Sequence, residues 1–161
     1  MKKSAILLLF ILVLSAAASA FSNVPTPNKS KEFALKDMSG NAVSLNSYKG
    51  KVVLLAFFQT ECPPCQEEIP QLEPIYQKYR SKNFDVIAVS MKENANIVRL
   101  FAGKNNLSFH VLLDEEGSVA AAYNVRFIPR IFILDRTGKI VFNSYYISAE
   151  DLEKEIIRTL R

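Results

Sequence analysis

The apolar run VVLLAFF at residues 52–58 shows no polar alternation, which is the pattern of a strand buried on both faces. It runs through Gln59, Thr60 and Glu61 to Cys62, and there the period changes. Ile69, Leu72, Ile75, Tyr76 and Tyr79 recur at spacings of three and four, predicting a helix from Pro63 to about Lys82. Pro70 and Pro74 fall inside it, and each lacks a backbone donor, so a kink or break is expected near residues 67–71. Further strands are predicted at residues 84–90, 109–113, 130–134 and 139–145, the last two joined by a turn at 135–138. Between them lie a helix at 94–105 and a short alanine-rich helix at 117–123. Ser148, with Asp151 three residues later, resembles a capping box and opens a final helix whose apolar face is Leu152, Ile156, Ile157 and Leu160. Upstream, residues 33–35 and 43–45 flank a polar stretch and read as a β-hairpin. This order is an α/β pattern: a mostly parallel sheet with helices on both faces and an antiparallel pair at one edge.

Residues 1–20 stand apart. A basic start, Met1-Lys2-Lys3, leads into an apolar run at 6–14, and Ala18-Ser19-Ala20 has the small-x-small form of a cleavage site. These are the parts of a secretory signal peptide, expected to be cut after Ala20, or else kept as an anchor outside the inner membrane. Residues 21–31, with Pro25 and Pro27, read as a linker, and 32–161 as one domain. Without Lys2 and Lys3 the chain keeps 18 basic and 16 acidic residues, a net charge of +2. So small a balance argues against nucleic-acid binding.

The two cysteines, Cys62 and Cys65, sit in one stretch, CPPC, where the buried strand gives way to the helix. In an oxidising compartment a bridge across two residues closes too small a loop to add much stability. Chemistry explains the pair better. Cys62 falls at the N-cap, with Pro63 at a first helical position that needs no amide hydrogen. There the helix dipole and the Cys65 amide favour an ionised sulfur. Cys65, a turn deeper, is expected to stay protonated longer. Cys62 then attacks a disulfide and Cys65 resolves the mixed disulfide, the pair cycling between dithiol and disulfide. A zinc site would need further ligands, and the chain has no other Cys and a single histidine, His110, read as a half-buried strand residue. Neither a metal nor another cofactor is expected.

The stretch FFQTECPPCQEEIPQL resembles the active-site segment of the TlpA/ResA-like (DsbE/CcmG-like) branch of the thioredoxin superfamily, and VRFIPRIFILDRTGKIV resembles that branch's cis-proline segment and following hairpin. The resemblance implies a thioredoxin-like fold. Its mixed sheet would be flanked by helices, with an N-terminal β-hairpin and a central helix-strand insertion at about residues 94–113. It implies exported thiol-disulfide exchange, mainly as a reductant and for example in cytochrome c maturation. The partners would be protein disulfides, for example in apocytochrome c or its maturation factors, and a membrane thiol-electron donor. The chain itself is expected to act as a monomer. By position, Cys62 matches the nucleophile, Cys65 the resolving thiol, Pro70 the kink proline and Pro129 the cis-proline. Ile128 would offer its backbone to an extended substrate strand. Glu68 matches an acidic position near the dithiol able to relay protons, while Glu61 and Glu67 read as surface acids. Departures are Glu61 in place of Trp, Ala56 in place of a buried Asp, and Arg130 after the proline, where it would bind an acidic substrate or pair with Glu61 or Glu68. Phe127 would add an apolar rim, and Tyr145-Tyr146 a strand end packed under the last helix.

Two rival readings remain. In a peroxiredoxin-like peroxidase, Thr normally stands three residues before the reactive Cys, but Thr60 stands two before Cys62. A Sco-like copper protein spaces its cysteines by three residues and places a His much further along, unlike His110.

Overall fold

The computed structural model describes residues 28–161; the signal-peptide and cleavage-site expectations lie outside the described residues. Seven strands form one mixed sheet: β1 (Ala34–Asp37), β2 (Ala42–Ser44), β3 (Val52–Phe58), β4 (Phe84–Met91), β5 (His110–Asp114), β6 (Arg130–Leu134) and β7 (Ile140–Ser144), in the spatial order β2-β1-β5-β4-β3-β6-β7. Four helices accompany it: α1 (Pro63–Tyr79), α2 (Ala95–Lys104), α3 (Ser118–Ala122) and α4 (Ala149–Leu160). The expected hairpin is present as β1 and β2, and α2 with β5 is the central insertion.

The sheet is less parallel than the alternation predicted. Only β3–β4 and β4–β5 run parallel, joined by helical crossovers; β1–β2, β1–β5, β3–β6 and β6–β7 are antiparallel. The reversal at β6 has a functional result. Because β6 runs against β3, its first residue, Arg130, pairs with Phe57 near the end of β3, where the chain turns towards Cys62.

Strand alternation divides the core into two layers. Leu54, Ala56 and Phe58 of β3 face α1, α2 and α4, meeting Ile69, Leu72, Val98 and Ile156. Val53, Leu55 and Phe57 face the other way, against Val119, Ala120 and Tyr123 around α3. Every residue of β3 is buried, as its unbroken apolar run requires.

Helix α1 runs from Pro63 to Tyr79 with no break at Pro70 or Pro74. The two prolines are four residues apart, so the amides they lack fall along one column of the helix. That column is half-buried at Pro70 and exposed at Pro74, where water can serve the freed carbonyls. Ser148 caps α4 as expected, accepting from the Asp151 amide at 3.2 Å.

Residues 29–31 are bound to the domain. Lys29 bridges to Lys139, the Ser30 amide donates to the Gly138 carbonyl at 2.9 Å, and the Tyr123 hydroxyl donates to the Lys31 carbonyl at 2.9 Å. Leu72 of α1 is fully buried against the sheet. Leu72→Ala is expected to cost about 2–5 kcal/mol, read as a lower urea midpoint with an unchanged slope.

Candidate active site

Cys62 occupies the N-cap of α1 in extended backbone, φ −78° and ψ 114°, with prolines in the first helical positions. Its side chain caps nothing, which leaves the sulfur free to face outward. Cys62 is half-buried and Cys65 wholly buried, and both are free thiols. Burial pushes the Cys65 thiol well above its ordinary range, and its hydrogen bond with Cys62 and the charge of Glu68 push the same way. The two sulfurs therefore differ in accessibility as the position in the helix predicts.

The Ile128–Pro129 peptide bond is cis, and the Cys62 thiol donates towards the Ile128 carbonyl at 3.8 Å. Residues 66 apart in sequence thus meet across the antiparallel β3–β6 pair. Pro129 is buried and Ile128 half-buried, while Phe127 is 62% exposed and meets Tyr145 edge-on at 6.2 Å. On the other side of Cys62 an open groove of about 380 Å³ is lined by Gln59, Glu61, Lys92, Glu93, Asn94 and Ile97.

Glu68 lies three residues past Cys65 on the same helix face and is only 2% exposed. One oxygen accepts from the Ile147 amide at 2.9 Å; the other, Oε2, is buried with no partner among the described residues. Burial outweighs that hydrogen bond and raises the carboxyl to about 7. Ala56 is buried in the same core layer and offers no carboxylate of its own. Glu61 and Glu67 are exposed.

Arg130 is not where the sequence placed its partners. It is 5% exposed, donates to Asn143, and lies with its guanidinium 4.2 Å from the Tyr145 ring centre and 5.1 Å from that of Phe132. The cause is the strand period. Arg130 shares the Phe57 and Phe132 face of the sheet, whereas Ile131 faces the α1 side that holds Glu68. An ion pair with Glu61 or Glu68 is therefore replaced by a stack beneath an aromatic rim. Tyr145 and Tyr146 likewise lie exposed and not under α4, since β7 ends at Ser144 and Tyr145 turns to the Arg130 face. His110 is exposed at the start of β5, edge-on to Tyr48. Among the described residues no group of three or more His, Cys, Asp or Glu side chains could hold a metal ion.

One carboxylate escaped the sequence reading. Glu93 accepts from the Thr60 amide at 3.0 Å, from the Thr60 hydroxyl at 2.6 Å and from the Ser90 hydroxyl at 2.6 Å. The Thr60 carbonyl in turn accepts from the Gln66 side chain at 2.8 Å. The turn before Cys62 is thus clamped between the end of β4 and the first turn of α1. In one dimension Glu93 is indistinguishable from Glu115 or Glu116, which also follow a strand end.

The sequence matches the Redoxin family over residues 22–158. It is 32% identical over 152 residues to the thiol-disulfide oxidoreductase ResA of Bacillus cereus, covering 88% of each chain. It is 29% identical over 157 residues to the protein of that name from Geobacillus kaustophilus, covering 92% of this chain and 90% of the other. Among solved structures, a Chlorobium tepidum protein provisionally assigned as the thiol:disulfide interchange protein DsbE superposes with a TM-score of 0.79 at 29% identity, over 86% of this chain and 100% of that one. The thioredoxin domain of a Bacteroides vulgatus thiol-disulfide oxidoreductase gives 0.77 at 25%, over 86% and 100%. The fold is thioredoxin-like.

The raised Glu68 carboxyl has a thermodynamic signature. Between its ordinary value of 4.5 and about 7 the native state holds a proton that the unfolded chain has released. Stability therefore falls as pH rises through that window. Glu68→Gln removes the fall, and its gain over the parent should grow to about 3 kcal/mol above pH 7. Urea unfolding at about pH 5 and about pH 8 measures it; a parallel pH dependence in both proteins would contradict the assignment.

Proposed function

The chain belongs to the Redoxin family as a ResA-like thiol-disulfide oxidoreductase, and from that premise we propose that it reduces disulfides in exported proteins through the Cys62–Cys65 dithiol. The observation that carries this reading is the unequal burial of two thiols on consecutive turns at a helix start, with the Ile128 carbonyl beside the outer one.

In this reading Cys62, as thiolate, attacks one sulfur of a substrate disulfide. The Cys62–substrate S–S bond forms, the substrate's own S–S bond breaks, and the departing thiolate takes a proton from water. Cys65 then gives its proton to the unpartnered Oε2 of Glu68 and attacks the Cys62 sulfur. The intramolecular disulfide forms, the Cys62–substrate S–S bond breaks, and the second substrate sulfur leaves as a thiolate that takes a proton from water. Two electrons pass from the chain to the substrate, and an external dithiol must restore them; a membrane thiol donor fits that need. A carboxyl raised to about 7 is half ionised at neutral pH, which suits a group that both takes and returns a proton. Ile128 and Pro129 present the backbone edge for an extended substrate segment, and Phe127 gives it an apolar rim. Arg130 contributes by holding Tyr145 from below and not by meeting an acidic substrate.

The reducing direction follows from burial. Dehydration of Cys65 and the nearby Glu68 both disfavour thiolates, and a dithiol whose ionised form is poorly stabilised gives up electrons readily. Apocytochrome c and its maturation factors are a substrate class consistent with this direction. Export is proposed from residues 1–20 read as a signal peptide cut after Ala20. Among the described residues no helix is long and apolar enough to cross a membrane.

Insulin reduction by a dithiol donor should be lost to background in Cys62→Ser. Cys65→Ser should retain attack but freeze the mixed disulfide, so that substrates are recovered covalently bound. Native-state alkylation should mark Cys62 and spare Cys65. Equal labelling of both thiols, with no exchange against a model disulfide, would refute the proposal.

A further inference from the structure

We propose that the end of the domain opposite the dithiol is a docking face for an anionic phospholipid surface. A cleft of about 400 Å³ opens there between the incoming chain at 29–32, the residues before β3 and the β6–β7 turn. Its lining carries five cations, Lys29, Lys31, Lys49, Lys51 and Arg136, against two acids, Glu32 and Asp135. Asp135 is already engaged: its Oδ1 accepts from the Thr137 amide and hydroxyl and from the Lys139 amide. Lys51 pairs with Asp85 at 2.9 Å. Lys29, Lys31 and Lys49 are exposed, and none of the three takes part in a salt bridge among the described residues. Excess positive charge gathered in one concave place, on a chain whose balance over residues 21–161 is only +2, is an asymmetry of placement and not of composition.

The place itself points to the occupant. Lys51 immediately precedes β3 and the dithiol follows it, so the strand's seven residues set the cleft about 20 Å from Cys62. The described chain also enters here: the Asn28 carbonyl accepts from the Ile140 amide at 3.3 Å, beside the Lys29–Lys139 bridge. In sequence, the apolar run at 6–14 ends fourteen residues before Asn28, a length of chain reaching at most about 50 Å. A membrane-seeking segment is therefore tied to the basic end. If it is retained, lipid phosphates are held within reach of the cleft; if it is removed, the charge still favours an anionic surface. Docked this way, the domain faces Cys62, Ile128 and Phe127 away from the bilayer, towards soluble substrates, and it undocks to meet a membrane thiol donor.

The test uses the full chain with vesicles of phosphatidylglycerol and phosphatidylcholine, and with phosphatidylcholine alone. It reads partitioning and backbone amide exchange. Partitioning should be roughly tenfold or more stronger on the anionic vesicles. Exchange should slow at residues 29–31, 49–51 and 136–139 on those vesicles alone, and about 0.5 M salt should erase the difference. Lys31→Glu with Lys49→Glu should abolish the preference. Lys36→Glu with Arg126→Glu, an equal change in charge placed elsewhere, should keep it. Equal behaviour on both vesicles overturns the proposal, as does equal loss in both double variants, which would reduce the effect to net charge. The same amide protection from inorganic phosphate without lipid would make the cleft a small-anion site and also overturn it.

Discussion

The site depends on one constraint: a thiol and a carboxyl are buried one helical turn apart with no cation among the described residues to offset either. Cys65 and Glu68 face the core layer that also holds Leu54, Ala56 and Ile131. Among the described residues Glu68 is compensated by the Ile147 amide alone, and its other oxygen goes without a partner. An ionised group in such a place is disfavoured by several kcal/mol unless it takes up a proton. The same burial that anchors α1 to the sheet therefore controls when protons leave the site. Structure and chemistry share a cause here, because α1 packs through the face that carries both groups.

Topology supplies the other half. Cys62 and Ile128 are far apart in sequence and adjacent in space because β6 is laid antiparallel on β3. An antiparallel neighbour begins where β3 ends, so the cis-proline turn before β6 comes out beside the CPPC turn after β3. A parallel β6 would have carried that turn to the other end of the sheet. Glu93 completes the frame from the opposite side by tying Thr60 to the end of β4, so the segment from Thr60 to Cys62 meets β4 on one side and the turn before β6 on the other.

Features whose cause is local were legible in the sequence. The unbroken run at 52–58, the capped start at Ser148 and the CPPC turn at a strand-to-helix junction each carry their reason within a few residues. What escaped depends on partners distant along the chain. Arg130 was expected to bind an acidic substrate or to pair with Glu61 or Glu68, but the pairing with Phe57 assigns it to the sheet face away from Glu68. Pro70 and Pro74 were expected to kink or break α1 near residues 67–71, but the helix runs on without a break, their column being half-buried at Pro70 and exposed at Pro74. Glu93 carries no local mark at all. The burial of Glu68 lies between these cases: its spacing from Cys65 was visible, whereas the depth of its burial needed the arrival of Ile147 and α4.

The direction of electron flow can be argued from this burial without reference to any substrate. A disulfide is nearly apolar, a thiol weakly polar and a thiolate fully charged. Moving Cys65 from water into the core disfavours these three forms in increasing order. Burial therefore favours the oxidised dithiol over its ionised reduced form, and the nearby Glu68 adds repulsion whenever it is charged. A strong oxidant needs the opposite arrangement, with a reduced form held in place by a well-stabilised thiolate. In the proposed mechanism closing the disulfide also releases a proton from Cys65, and the unpartnered oxygen of Glu68, one turn away, would accept it. A carboxyl displaced to about 7 can take that proton and give it back to solvent near neutrality. A carboxyl left at its ordinary value would be charged throughout, opposing every thiolate it was meant to serve.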